Sequence, residues 1–151
     1  MLAQGVSRPD APAYLFKILG DVRLARGAHD QALEAYQQAA YRDMESVLSR
    51  DALGNMLRLA GQPSSAAGYY AAAVAGNPNL TRARFGLGSA LLQSGSTSQA
   101  LGVLTDLANA LPAYASDNAL LLKGIAQWKM GNASGALATV NDALGINPGN
   151  R

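Results

Sequence analysis

The chain has 151 residues, of which 49% are hydrophobic and 15% charged, and its formal net charge is +2. This length suits one domain with a sizeable core, and the small, scattered excess of basic residues does not favour nucleic acid or an anionic membrane as a partner. Cysteine is absent, which excludes disulfides and thiolate metal sites.

The first twelve residues are polar and include two prolines. They predict a flexible N-terminal arm over 1–12. They lack the apolar run of a signal peptide, and no later segment approaches the roughly 20 apolar residues of a membrane span. We therefore expect no direct membrane insertion by this chain.

The rest of the chain repeats with a fixed period. Gly20 returns 34 residues later as Gly54 and again as Gly88, and after a two-residue insertion it returns as Gly124. A period of this length indicates a repeat array, which supplies a surface for partners more often than an active site. The predicted units together form a domain over 13–151, and they span 13–46, 47–80, 81–114 and 117–150.

Each unit is predicted to hold two short amphipathic helices, A and B. In the first unit, helix A runs from about 13 to 26 and helix B from about 30 to 44, separated by Gly27. A glycine at this place can adopt the left-handed conformation that closes a helix. The equivalent glycines are Gly61, Gly95 and Gly131. The B helices are predicted to open on residues whose side-chain oxygens can cap them: Asp30, Ser64, Ser98 and Ser134. Prolines end the last three units: Pro78, Pro112 and Pro148.

Four glycines are predicted to lie in the middle of the A helices: Gly20, Gly54, Gly88 and Gly124. A mid-helix glycine costs about 1 kcal/mol relative to alanine. Four such residues at one register predict that another helix comes very close there. Large residues are predicted to fill the space around each close approach, among them Tyr36, Tyr70, Leu104 and Val140. The natural partners on the B helices are the alanines at one repeat position: Ala32, Ala66, Ala100 and Ala136.

These residues resemble the tetratricopeptide repeat, whose pattern is W-x₂-L-G-x₂-Y … A-x₃-F … P. The match spans about 138 of the 151 residues. The chain departs from the pattern at Arg50 and Arg84 in the tryptophan-like position, at Lys123 before the fourth glycine, and at Leu107. The resemblance implies an all-α solenoid, a right-handed superhelix whose concave groove is lined by the A helices. The RNA-binding pentatricopeptide repeats have a similar period, but the Leu-Gly/Ala/Pro signature and weak basicity argue against them.

The resemblance also implies which residues contact a partner, because side chains near positions 2, 5, 9 and 12 of each repeat face the groove. The residues at these positions are Tyr14, Lys17, Asp21, Leu24, Leu48, Asp51, Asn55, Arg58, Arg82, Phe85, Ser89, Leu92, Asn118, Leu121, Ile125 and Trp128. Such a groove would change from charged to apolar along the chain and would suit a protein or peptide with a hydrophobic anchor. Trp128 is the predicted hot spot, with packing against a following helix as the alternative.

Other functions of this family and other classes of site fit less well. In cochaperones of the family a lysine and asparagine clamp holds a terminal carboxylate. Lys17 stands at the first clamp position, but Asp21 and Gly86 replace the asparagine and an arginine, and the acidic residue would repel the carboxylate. His29 is the sole histidine and is predicted to lie in a turn beside Asp30. We therefore expect no enzyme activity, no metal site and no cofactor.

The last predicted helix carries apolar residues that nothing in the sequence covers: Leu137, Val140, Leu144 and Ile146. Three explanations are open: the chain is one piece of a longer protein, which we expect, these residues meet a partner, or two copies of the chain pack end to end. The alternative function is thus an oligomerisation module that forms a homodimer through its C-terminal repeat. The alanine- and glycine-rich repeats resemble bacterial tetratricopeptide lipoproteins of tight-adherence (Flp) pilus assembly. That resemblance implies a pilus or secretion assembly factor, in the periplasm, at the outer membrane or in the cytoplasm.

Overall fold

The computed structural model describes residues 10–43, 47–112 and 115–145, and this part of the chain is all-α. No described helix is both long and apolar enough to cross a membrane. The eight helices of the described ranges are α1 (Ala13–Ala25), α2 (His29–Arg42), α3 (Val47–Leu59), α4 (Pro63–Gly76), α5 (Thr81–Gln93), α6 (Thr97–Ala110), α7 (Asp117–Lys129) and α8 (Ala133–Leu144).

The helices form four hairpins, and the chain divides after Pro78 into two compact units of two hairpins each. In unit 1 the hairpins are α1–α2 and α3–α4, with α2 packed against α3. In unit 2 they are α5–α6 and α7–α8, with α6 packed against α7. Pro78 and Pro112 each lie two residues beyond the end of a B helix, as the pattern predicted. Pro148 lies outside the described residues.

The four hairpin turns confirm the predicted glycine breaks. Gly27, Gly61, Gly95 and Gly131 have φ angles of 76°, 76°, 86° and 83°. In the first turn the amide of Ala28 donates to the carbonyl of Arg23 at 2.9 Å, and that of Gly27 donates to Leu24 at 2.9 Å. These two bonds satisfy carbonyls at the end of the helix and reverse the chain. The same pair of bonds recurs in the other three turns.

The residues predicted to cap the B helices do not lie at the cap positions. Each B helix begins one residue earlier, so that Asp30, Ser64, Ser98 and Ser134 are the second residues of their helices. The cap positions fall on Ala28, Gln62, Ser96 and Asn132, and only Asn132 caps with its side chain, whose Oδ1 accepts from the amide of Gly135 at 2.9 Å. A residue inside the helix cannot take the non-helical conformation that capping needs.

The mid-helix glycines do mark close approaches, but the atoms nearest to an added Cβ belong to large side chains and not to the side chains of the predicted alanines. Large side chains lie over the glycines, each four residues after the expected alanine: Tyr36 over Gly20, Tyr70 over Gly54, Leu104 over Gly88 and Val140 over Gly124. A Cβ at position 88 would lie 2.6 Å from Cδ2 of Leu104. At Gly124 the predicted partner also comes near, since the backbone carbonyl oxygen of Ala136 lies 3.5 Å from an added Cβ. The alanines themselves are buried. Each glycine therefore leaves room for a large side chain one turn farther along helix B.

Most of the N-terminal arm predicted over 1–12 lies outside the described residues. Within the described part, Ala11 is buried and packs with Phe16 and Ala39. The chain is therefore in contact with the first hairpin just before α1 begins.

Candidate protein-binding surfaces

The predicted groove residues of α1 form a local polar network. Nζ of Lys17 donates to Oδ2 of Asp21 at 2.8 Å, and the phenol of Tyr36 on α2 donates to Oδ1 of Asp21 at 2.6 Å. Tyr14, one turn earlier, is exposed, and Leu24 is half-buried. The Asp21 carboxylate thus holds the first hairpin together while one edge of it stays accessible to a partner.

The predicted residues of α3 differ in how accessible they are. Asp51 is only 2% exposed and so belongs to the interior of unit 1. Asn55 and Arg58 are half-buried, and a long contact of 3.4 Å joins Nη2 of Arg58 to Oδ1 of Asn55. Leu48 is exposed. Of the predicted residues of α3, a partner could therefore reach Leu48, Asn55 and Arg58.

In unit 2, the apolar predicted residues of α5 take part in the packing of the helices. Phe85 is partly buried and packs against the cluster of Leu107, Ala108 and Ala119. Leu92 is buried and Ser89 is half-buried, whereas Arg82 is exposed. Phe85 and Leu92 thus stabilise the packing of α5 on its neighbours within the unit.

Helix α7 carries the most exposed apolar surface among the predicted groove residues. Trp128 is 68% exposed and Leu121 is 47% exposed. Seven residues separate them, which is close to two helical turns, so both lie on one side of α7. Ile125 lies between them and is half-buried, and Asn118 at the start of the helix is exposed.

Helix α8 presents a second apolar surface, which we call the terminal face: Leu137, Val140 and Leu144. Leu137 and Leu144 are 64% and 62% exposed. Val140 is half-buried because it packs over Gly124. Ile146, which was predicted to belong to the same face, lies outside the described residues.

The described residues show no group of three or more His, Asp or Glu side chains that could hold a metal ion. His29 is exposed at the start of α2, in the turn region beside Asp30. A third surface, which the sequence analysis did not identify, is an open cleft in unit 1 that involves Tyr41, Arg50 and Tyr69. The sequence contained one indication of this cleft. Arg50 is charged, whereas the same repeat position holds the apolar residues Phe16 and Leu120 in other hairpins.

Comparisons with known proteins agree with this architecture. A family model for the tetratricopeptide repeat matches residues 57–116. No curated protein sequence matches the chain. Among solved structures, the chain is similar to YrrB, a TPR protein with an unusual peptide-binding site, with a TM-score of 0.82 and 26% identity over 90% of this chain and 69% of that one.

Two structures of MamA are also similar. One has a TM-score of 0.85 and 18% identity over 95% of this chain and 82% of the other. MamA from residue 41 to its end, from Desulfovibrio magneticus RS-1, has a TM-score of 0.81 and 23% identity over 90% of this chain and 76% of the other. At these identities the MamA structures support the fold alone.

Proposed function

We propose that this chain, a tetratricopeptide-repeat protein, is a non-catalytic adaptor or assembly chaperone that binds a partner protein or peptide through the A helices of its hairpins. Stacked helical repeats generally act as interaction modules rather than as catalysts. The likeness to YrrB, which has a peptide-binding site, supports the same class of function here.

The observation that carries the proposal is the exposure of Trp128 together with Leu121 on α7. A tryptophan side chain presents about 200 Å² of surface, and at about 25 cal/mol per Å² its exposed part can supply about 3 kcal/mol of binding free energy when a partner covers it. An exposed indole next to a second apolar side chain is typical of a hot spot.

Within each unit, the polar residues that we propose for partner contact orient a partner rather than anchor it. In unit 1 these are Lys17, Asp21, Asn55 and Arg58, and in unit 2 they are Arg82 and Ser89. Charged and polar groups of this kind, exposed or half-buried, chiefly affect association rate and specificity. The buried members of the predicted set, Asp51 and Leu92, support the surface from below. Leu24, Phe85 and Ile125 are half-buried and contribute at its edges.

The sole tryptophan of the chain makes the proposal directly testable. We would use the parent, Trp128→Ala and Leu137→Ala proteins as baits in a lysate of the source organism. The expected result is a protein that the parent and Leu137→Ala retain and that Trp128→Ala loses, and whose purified form changes the fluorescence of Trp128 on titration. A set of captured proteins that Trp128→Ala leaves unaltered would contradict the proposal.

A second candidate function is a structural oligomerisation module that uses the terminal face. The observation that favours it is the exposure of Leu137 and Leu144 on one side of α8. Light scattering over a concentration series would show a dimer that Leu137→Glu dissociates and Trp128→Glu leaves intact. A parent protein that stays monomeric throughout the series would exclude this function.

We further propose pilus or secretion-system assembly as the process in which the adaptor acts. This step rests on the alanine- and glycine-rich composition of the repeats alone. Deleting the gene in its source organism should reduce surface pili or a secreted protein, and a Trp128→Ala allele should reproduce that defect. Normal piliation and secretion in the deletion strain would refute the proposed role in pilus or secretion-system assembly. The adaptor function would then still be tested by the bait experiment.

A further inference from the structure

Unit 1 contains an open cleft of about 420 Å³ on the side of its B helices. Six of the described residues, from three helices, line it: Gln37, Gln38, Ala40 and Tyr41 of α2, Arg50 of α3 and Tyr69 of α4. The volume lies within the range of ligand and peptide side-chain pockets. None of these six residues belongs to the surface proposed above.

Arg50 is the unusual member of this cleft. It occupies the fourth position of its repeat, where Phe16 and Leu120 stand in the first and fourth repeats. Phe16 is buried, and Leu120 packs against the core cluster of Leu107, Ala108 and Ala119. At an equivalent junction between hairpins, unit 2 thus has an apolar side chain in the packing where unit 1 has a guanidinium group.

Arg50 is half-buried, and its guanidinium has no hydrogen-bond or ion-pair partner in the described ranges. A partly desolvated cation without a counter-ion is unfavourable by itself and strongly favours a bound anion. The next residue, Asp51, is buried and does not line the cleft. Among the described lining residues, the cleft therefore combines one cation with aromatic and amide groups and holds no acidic side chain.

The other lining residues suit a peptide next to that anion. At the equivalent junction of unit 2, the repeat positions of Tyr41 and Tyr69 hold Asn109 and Thr139, so the two tyrosines are particular to the junction in unit 1. Their rings offer apolar surface to a neighbouring side chain. Gln37 and Gln38 offer amide groups to a peptide backbone. Oε1 of Gln38 already accepts from Nη1 of Arg42 at 2.6 Å, which leaves its amide nitrogen as a donor.

We propose that this cleft binds an acidic segment of a partner protein, with an aspartate or glutamate side chain paired to Arg50 and an adjacent apolar side chain beside Tyr41 and Tyr69. A carboxylate matches the planar fork of a guanidinium in two parallel hydrogen bonds. The inference is independent of the Trp128 surface, which lies in the other unit, so either can fail alone.

The test is an NMR titration of the ¹⁵N-labelled full chain. The probe is a capped tetrapeptide of alternating phenylalanine and glutamate, and the matched control replaces glutamate by glutamine. We expect saturable shifts of the Arg50 side-chain N–H and of the amides around residues 37–41 and 69, with the glutamine peptide at least about tenfold weaker. Equal binding of both peptides would overturn the proposal. Equal chemical-shift changes with inorganic phosphate would also overturn the proposal. The same holds if the glutamine peptide binds whenever its C-terminal carboxylate is left free.

The variants separate recognition from folding. Arg50→Leu copies Leu120 of unit 2, and we expect it to melt at or above the parent temperature while it loses at least about tenfold in peptide affinity. Arg50→Gln serves as the second variant if the leucine protein does not fold. Arg84→Leu, at the same repeat position in unit 2, and Trp128→Ala should bind as the parent does. Undiminished binding by Arg50→Leu or Arg50→Gln would refute the role of the guanidinium.

Discussion

Tyr36 joins the two helices of the first hairpin through Asp21, to whose Oδ1 its phenol donates a hydrogen bond of 2.6 Å. The same ring covers Gly20, where an added Cβ would lie 2.6 Å from Cε1. Lys17 holds the other oxygen of the carboxylate at 2.8 Å. One aromatic side chain thus fills the space that a glycine leaves and satisfies an acidic residue beside it.

Replacing Tyr36 with phenylalanine should remove the hydrogen bond and keep the packing. We expect the free energy of unfolding to fall by about 1.5 kcal/mol, at the lower end for a bond to a charged group because Asp21 is open to water on one side. Urea denaturation followed by circular dichroism would measure the change. Tyr41→Phe, at an exposed position, is the control that should unfold with the parent. A Tyr36→Phe midpoint equal to that of the control would refute the contribution of the bond.

Two glycines of unit 2 should respond to alanine with opposite signs. At Gly88 the new methyl group would meet Cδ2 and Cγ of Leu104 at 2.6 and 2.7 Å, and Leu104 is fully buried. We expect Gly88→Ala to destabilise the protein by about 1 to 3 kcal/mol. A methyl group added at Gly102 on α6 would meet no neighbouring group within 4 Å. Gly102→Ala should therefore stabilise the protein by about 0.5 to 1 kcal/mol. Thermal melts that shift in the same direction for both variants would contradict this contrast.

The capping of α8 gives a third prediction. Asn132→Ala removes the side-chain bond to the amide of Gly135 and should cost about 1 kcal/mol. Ser98→Ala should leave stability within about 0.5 kcal/mol of the parent, because Ser98 is an exposed second residue of α6. Chemical denaturation of the two variants side by side would decide it. A loss at Ser98 as large as that at Asn132 would mean that Ser98 caps its helix after all.

The bounds of the helices were predictable because they depend on local signals. The first hairpin was predicted at about 13–26 and 30–44 and is observed at Ala13–Ala25 and His29–Arg42. The turn glycines were predictable for the same reason, since a positive φ is a property of one residue and its neighbours. The caps were off by one position because that detail depends on the backbone angles just after each turn glycine.

The partners across helices were less predictable because they depend on how two helices cross. A spacing pattern placed Ala100 over Gly88, but the observed neighbour is Leu104, one turn farther along α6. The same limit applies to the surfaces. The family resemblance implied that Asp21 is a groove residue without revealing its bond to Tyr36, fifteen residues away. The cleft at Arg50 was not predictable from the sequence because it forms only where residues of three helices come together.

The exposure of Trp128 predicts that its side chain contributes little to folding. Trp128→Glu should change the free energy of unfolding by less than about 0.5 kcal/mol, because 68% of the residue is already in water. In the parent, acrylamide should quench the fluorescence of this sole tryptophan efficiently.

Leu104→Ala, at a fully buried position of the same unit, should by contrast cost about 2 to 5 kcal/mol. A Trp128→Glu protein that melts as early as Leu104→Ala would show that the indole packs inside the protein, and α7 would then lack the anchor on which the adaptor function depends.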